Sequence, residues 1–158
     1  MRAVLVPGVL ALLPEYAGLE DPVADIRAAC LDAVGWLGTE VTVIAGPQGR
    51  RVADHLLRTT TRTAAHPSYL VVGNGSAKRV DTSPGYVDER AIPFDDDLGS
   101  RLRAGAFSGI DADLARELWA DTEAIAQLDG VVPAGCACSV DYEGDPYGVR
   151  YWVARWEW

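Results

Sequence analysis

The residues best placed to bind a ligand lie in a glycine-rich turn that follows the short apolar run Tyr69–Val72. This run is long enough for one buried strand, and glycine and asparagine tolerate the positive φ angles of a tight turn. Backbone N–H groups and a serine hydroxyl can converge on an anion in such a turn, and the basic residues Lys78 and Arg79 follow closely. The alternative is a tight loop that only requires small residues. The predicted ligand-binding residues of the turn are Gly73, Asn74, Gly75, Ser76 and Lys78.

A second group of candidates, Asp88, Glu89 and Arg90, follows a polar loop that contains Pro84 and Gly85. A carboxylate beside the apolar end of a sheet can have a raised pKa and act as a general base. We therefore predict Asp88 and Glu89 as catalytic candidates and Arg90 as a ligand-binding residue. The alternative is structural, with Asp88 capping the helix that begins here and the charged neighbours forming an ion pair.

The acidic run Asp95–Asp97 falls in the same predicted helix. Three successive helical residues spread around most of the circumference, so we expect a solvated acidic face. A divalent-ion site is the alternative, although calcium loops interleave their acidic residues with a glycine turn and this run does not.

Composition restricts the function classes. The chain has 158 residues, enough for one domain, and a net charge of −9. This charge argues against nucleic acid and anionic membrane surfaces as partners, and no apolar run reaches the ~18 residues of a membrane span. The apolar start is interrupted by Pro7 and Gly8 and is predicted as a buried strand rather than a signal peptide. The three cysteines are odd in number and lack the spacing of a disulfide framework, which indicates free thiols and a cytoplasmic location.

The hydrophobic pattern alternates between strand and helix, which predicts a parallel sheet with right-handed crossovers. We expect an α/β domain over residues 1–158, with three layers, a mixed and mainly parallel sheet, and a C-terminal β-hairpin. The predicted parallel strands are Arg2–Val6, Glu40–Ala45 and Tyr69–Val72, and the predicted hairpin strands are Gly135–Tyr142 and Val149–Trp156. The first two predicted helices run from Asp21 to a left-handed cap at Gly38 and from Pro47 to Arg58. The other two run over Asp88–Ala104 and from the capping residue Asp111 to Gly130, with Trp119 facing inward.

The C-terminal tail is strongly aromatic. On a strand, Tyr151 and Val153 share one face while Trp152, Trp156 and Trp158 share the other, so both faces require cover. Core packing within the chain can supply it. The alternative is a homodimer formed through this aromatic strand.

Three segments resemble the LigB-like family, the catalytic-subunit family of class III extradiol ring-cleavage dioxygenases. Val6–Glu15 is similar to the family's Pro-His-Pro-Pro-Leu-Leu-x-Pro-Glu opening, and Gly73–Ala77 is similar to its Ser-Gly-Asp-Leu-Ser-His turn. The segments Asp88–Arg90, Phe94–Asp95 and Asp145–Val153 resemble a compact branch of the same group. The resemblance implies the α/β fold and, in active members, an Fe(II) ion held by two histidines and a carboxylate.

The departures from the family pattern imply a site without metal. Gly8 stands where the opening motif has a histidine, and Ala77 stands where the turn has its acid–base histidine. Neither residue can ligate iron or carry a proton. We therefore expect a metal-free LigB-like homologue without ring-opening activity and without a cofactor, which binds a small aromatic or anionic molecule in a cleft between Gly8, Gly73–Ser76 and Asp88–Arg90.

Two other functions remain open. One is a degenerate Fe(II)-dependent extradiol dioxygenase that uses His55 or His66, the only histidines of the chain. The other is a structural or interaction subunit that acts through the aromatic tail. Within the leading interpretation, a binding module and a metal-independent enzyme are equally compatible with the sequence.

Overall fold

The computed structural model describes residues 1–158, which form one sheet with helices on both faces. Short 3-10 turns occur at Leu10–Leu12, Pro14–Tyr16 and Gln127–Gly130. The strands and helices are β1 (Arg2–Val6), α1 (Ala24–Trp36), β2 (Gly38–Ile44), α2 (Pro47–Thr59), β3 (Ala64–Val72), α3 (Ala91–Ala104), α4 (Ala112–Glu117), α5 (Glu123–Ala126), β4 (Ser139–Gly144) and β5 (Tyr151–Glu157).

The five-stranded sheet has the order β2-β3-β1-β5-β4. β1, β2 and β3 are parallel, whereas β5 pairs antiparallel with both β1 and β4. The C-terminal hairpin therefore joins the parallel part of the sheet along β1. This arrangement confirms the predicted mixed α/β fold, and β4 points in the same direction as β1.

Side chains of the central strands point alternately to the two faces of the sheet and form a hydrophobic core on each face. Val4 and Val6 of β1 face α1 and α2, whereas Ala3 and Leu5 face α3 and α5. Side chains of successive strand residues point to opposite faces of a sheet, so a fully apolar strand such as β1 must be covered on both sides. All four of these side chains are completely buried.

The connections between the parallel strands differ from the expected right-handed pair. The chain passes from β1 to the edge strand β2 and then returns to β3, yet α1 and α2 pack on the same face of the sheet. Two right-handed crossovers that run in opposite directions would place their helices on opposite faces. One of the two connections is therefore left-handed, and the expectation of right-handed crossovers throughout is wrong.

Several predicted boundaries are wrong: α1 begins at Ala24 rather than Asp21, α3 at Ala91 rather than Asp88, and β4 at Ser139 rather than Gly135. Three further boundaries are wrong for identifiable reasons. β3 begins at Ala64 rather than Tyr69, because pairing with β2 orders the polar residues that precede the apolar run. Gly38 starts β2 instead of capping α1 in the left-handed region, and a Cβ there would lie 2.0 Å from the His66 carbonyl oxygen. The helix capped by Asp111 ends at Glu117, where the backbone reverses.

The aromatic tail is covered by the chain itself. Tyr151 and Val153 belong to the core beneath α1 and α2, and Trp152 and Trp156 belong to the core on the other face. Trp156 is 1% exposed, and its Nε1–H donates a hydrogen bond of 3.2 Å to the Leu102 carbonyl. β5 is an interior strand, so core packing accounts for these side chains. In the whole chain, no helix combines the length and the apolar character that crossing a membrane would take.

Burial of Tyr151 predicts a loss of stability at alkaline pH. Burial, with a smaller contribution from nearby tyrosines, raises the pKa of Tyr151 from an ordinary value of 10.0 to about 12. The unfolded chain therefore releases this proton at lower pH than the folded chain does, and the free energy of unfolding falls as pH rises from 10 to 12. We expect urea denaturation to show a smaller fall for Tyr151→Phe than for wild type. Tyr86→Phe, at an exposed tyrosine, should match wild type, and an identical decline in all three proteins would contradict the prediction.

Candidate functional site

The glycine turn lies where β1 and β3 end, and its backbone donors are all used within the chain. The five consecutive N–H groups from Gly73 to Ala77 each donate to an acceptor elsewhere in the chain. In this conformation the turn offers no unpaired N–H to an anion, and it is bonded to four other parts of the fold. The bonds are Gly73 to Val6 O (3.1 Å), Asn74 to Asp121 O (2.9 Å), Gly75 to Arg150 O (2.8 Å), Ser76 to Asp95 Oδ1 (2.7 Å) and Ala77 to Leu118 O (3.0 Å).

Glycine is required in the turn because neighbouring atoms approach its backbone closely, and not because the backbone adopts a positive φ. A Cβ on Gly73 would lie 2.7 Å from the Asp121 carbonyl oxygen, and one on Gly75 would lie 2.6 Å from Asp95 Oδ1. Neither glycine adopts a positive φ. The expected reason for glycine is therefore wrong, although the expected need for small residues is met.

Behind the turn lies a buried ionic network. The Asp95 carboxylate accepts from the Ser76 hydroxyl at 2.6 Å and from Arg79 Nη1 at 2.6 Å. Arg79 also donates through Nε to Asp145 at 3.1 Å. Burial opposes its charge, but the hydrogen bonds to Asp95 and Asp145 raise the pKa of Arg79 above its ordinary value. Because Asp95 is only 1% exposed, its expected place on a solvated face is wrong, whereas Asp96 is exposed as expected.

Gly8 lies against the turn, as the sequence predicts, but it is buried. Its N–H donates to Asn74 Oδ1 at 2.9 Å, and its carbonyl oxygen accepts from Gln48 Nε2 at 2.9 Å. A Cβ at Gly8 would lie 3.2 Å from Val72 Cγ1, tighter than most packing contacts. The structure therefore brings Gly8 and the glycine turn together and closes the space that the sequence predicts as a cleft.

Asp88 and Arg90 form an exposed ion pair beside the turn. Arg90 donates to both Asp88 oxygens, at 3.0 and 2.8 Å, and to Glu117 at 2.8 Å. These bonds, together with the Arg90 N–H, lower the pKa of Asp88 to about 2. The expectation that Asp88 has the raised pKa of a general base is therefore wrong. Its N–H donates to the Lys78 carbonyl at 3.0 Å, which keeps it near the turn.

Glu89 has no hydrogen bond or ion pair with the glycine turn. It is exposed and lines a groove of about 620 Å³ between α3 and the region of α4, with Phe94 and Leu114 on the apolar side. Gly8 and the glycine turn do not line this groove, so the three parts of the predicted cleft do not form its walls together.

The two histidines lie in different parts of the fold. His66 is in β3 beside Gly38, and its Nδ1 lies 3.1 Å from the Ser68 hydroxyl. His55 is on α2 and lines a separate pocket. No three His, Cys, Asp or Glu side chains are grouped where they could hold a metal ion.

The pocket at His55, called here the His55 pocket, is a cavity of about 340 Å³ on the α1 and α2 face. One wall is the segment that follows β1, including Leu13 and Tyr16, and another is the β4–β5 connection at Tyr147. The start of α1 adds Arg27, which pairs with Asp21 and donates to the Ala11 carbonyl at 3.1 Å. Volumes of this order are typical of small-molecule sites.

Sequence reasoning weighs His55 only as an iron ligand and Tyr147 only as part of the tail. The order and direction of the strands could have indicated that His55 and Tyr147 lie close together. β4 is parallel to β1, so the β4–β5 connection returns to the end of the sheet where the segment after β1 begins.

Comparison of the chain with known proteins gives no match, either to a protein-family model or to a curated protein.

Replacing Asp95 tests the importance of the buried network. Asp95→Asn leaves the Arg79 guanidinium, which is 10% exposed, with only the half-exposed Asp145 as a charged partner. Removing one member of a buried ion pair typically costs several kcal/mol, so we expect the free energy of unfolding to fall by about 3 kcal/mol. Urea denaturation measures it. Asp96→Asn, one residue along α3 and exposed, is the matched control and should match wild type; equal stability of both variants would contradict the prediction.

Proposed function

We propose that the chain is a metal-free LigB-like homologue that binds a small aromatic or anionic molecule in the His55 pocket and has no ring-opening activity. The observation that carries this proposal is the position of the opening segment. Val6–Glu15 bears part of the resemblance to the family, and its residues Leu12, Leu13 and Pro14 line the pocket. The proposal moves the expected binding site from the buried glycine turn to the neighbouring cavity.

The lining of the pocket suits a molecule with one ring and a polar substituent. Leu13 and the rings of Tyr16 and Tyr147 supply apolar surface. The Arg27 guanidinium offers hydrogen-bond donors to an anionic group, and the His55 imidazole can donate or accept a hydrogen bond. Ligand pockets commonly combine an apolar lining with a few polar groups that fix orientation.

The metal-free part of the proposal is supported by the residues at the two family positions. Gly8 has no side chain, and its carbonyl oxygen is engaged by Gln48. Ala77 is 7% exposed and packs within the core. Whether the bound molecule is also transformed depends on His55, the one imidazole in the lining of the pocket.

The other functions have less support. A rearranged iron site would need His55 or His66 to meet further donor groups, and no such cluster is present. A homodimer or interaction subunit acting through the tail would need exposed aromatic surface, whereas Trp152 and Trp156 are buried in the chain's own core. A cytoplasmic location is consistent with three unpaired cysteines.

Titration with small aromatic probes tests the proposal. We expect benzoate and catechol, added into the millimolar range, to shift ¹H–¹⁵N NMR signals of Leu13, His55 and Tyr147. Ala17→Trp introduces a large side chain at an exposed lining position and should abolish these shifts. Ala28→Trp, on an exposed position of α1 outside the pocket, should retain them.

Two outcomes would overturn the proposal. The first is the absence of shifts around the pocket with either probe. The second is stoichiometric Fe(II) in protein reconstituted without oxygen, combined with oxygen uptake on catechol, which would establish the dioxygenase alternative instead.

A further inference from the structure

Trp119 occupies a backbone position that favours glycine. It is the only non-glycine residue with a positive φ, at 57°. The Trp119 N–H bonds to the Arg116 carbonyl at 3.2 Å, and the Ala120 N–H bonds to the Ala115 carbonyl at 2.8 Å. This pair of bonds is the Schellman motif that ends α4, with Trp119 at the left-handed position. A bulky side chain there adds strain that glycine would avoid.

The side chain at this strained position is also exposed. Trp119 is 57% exposed, although the sequence predicts that it faces inward. Tyr86 is 97% exposed, and both residues line a cavity of about 520 Å³ on the loop that follows the glycine turn. Two aromatic side chains are thus presented to solvent around one depression, and apolar surface that is exposed around a cavity can bind a ligand.

The charged groups of this cavity have no ion-pair partner in the chain, and Lys78 makes a cation–π contact with Trp119. The Lys78 ammonium lies 4.9 Å from the centre of the Trp119 ring, and Asp81 lies on the same cavity. Neither Lys78 nor Asp81 takes part in an ion pair of the chain. The cavity therefore has one unpaired cationic donor and one unpaired anionic acceptor, with no net charge between them.

We propose that Lys78, Asp81, Tyr86 and Trp119 form a binding site for a neutral sugar ring. One face of a pyranose consists of C–H groups, which pack on exposed aromatic rings. Its hydroxyl groups both donate and accept hydrogen bonds, so they match the ammonium and the carboxylate together. An anion would be repelled by Asp81 and a cation by Lys78. The site is separate from the His55 pocket and does not depend on it.

NMR titration with saccharides tests the site. The probes are glucose, maltose and cellobiose, with sorbitol as a control that has the hydroxyl groups of glucose but no ring. We expect the saccharides to shift the Trp119 indole N–H signal, assigned with Trp119→Phe, and the Gly85 amide signal. Sorbitol and benzoate should leave both unchanged. No saccharide-induced shift, an equal shift with sorbitol, or a shift with benzoate alone would overturn the proposal.

Two variants separate binding from structure. Tyr86→Ala should weaken saccharide binding at least ten-fold, whereas Tyr16→Ala, at the exposed tyrosine of the His55 pocket, should not change it. Trp119→Gly relieves the strained backbone, so we expect it to lose saccharide binding and to melt at a temperature no lower than that of wild type. A clearly lower melting temperature would show that Trp119 serves the fold and would overturn the argument.

Discussion

The buried carboxylate of Asp95 holds together the part of the fold on which the rest depends. It receives hydrogen bonds from the backbone and the hydroxyl of Ser76 and an ion pair from Arg79, almost out of contact with water. An isolated buried charge is costly, so this carboxylate is compatible with the fold only because all three partners are present. Through Ser76 the network fixes the glycine turn to α3, and through Arg79 it reaches Asp145 in the β4–β5 connection.

This constraint determines where a ligand can and cannot bind. In many α/β proteins the carboxyl ends of the parallel strands form an open crevice. Here Gly8 and Asn74 bond directly across that space, and the N–H groups of the turn are used by neighbouring segments. Open cavities lie instead around the rim, among them the cavity at His55 and the cavity at Trp119. Both proposed binding sites therefore lie at the rim and not at the strand ends, because the side chains that are available to a ligand face the rim.

Elements with local signals are predictable from the sequence. The apolar run of β1 and the proline start of α2 place these elements within one residue of the structure, and Asp111 caps α4 through the Leu114 N–H as expected. Long-range effects are not predictable in this way. Nothing local distinguishes the buried Asp95 from the exposed Asp96, because only the folded position of Arg79 makes burial tolerable. The aromatic character of Trp119 likewise suggests a core residue, until the Schellman motif turns it outward.

Amide hydrogen exchange of the glycine turn tests the central claim most directly. If the turn is sealed by its hydrogen bonds, the N–H groups of Gly73, Gly75 and Ser76 should exchange as slowly as those of the buried strand β1. Leu19, which is fully exposed, provides the fast reference in the same spectrum. Exchange of the turn amides at a rate close to that of Leu19 would contradict the account, because it would mean that the strand ends are open and their donors are available to a ligand.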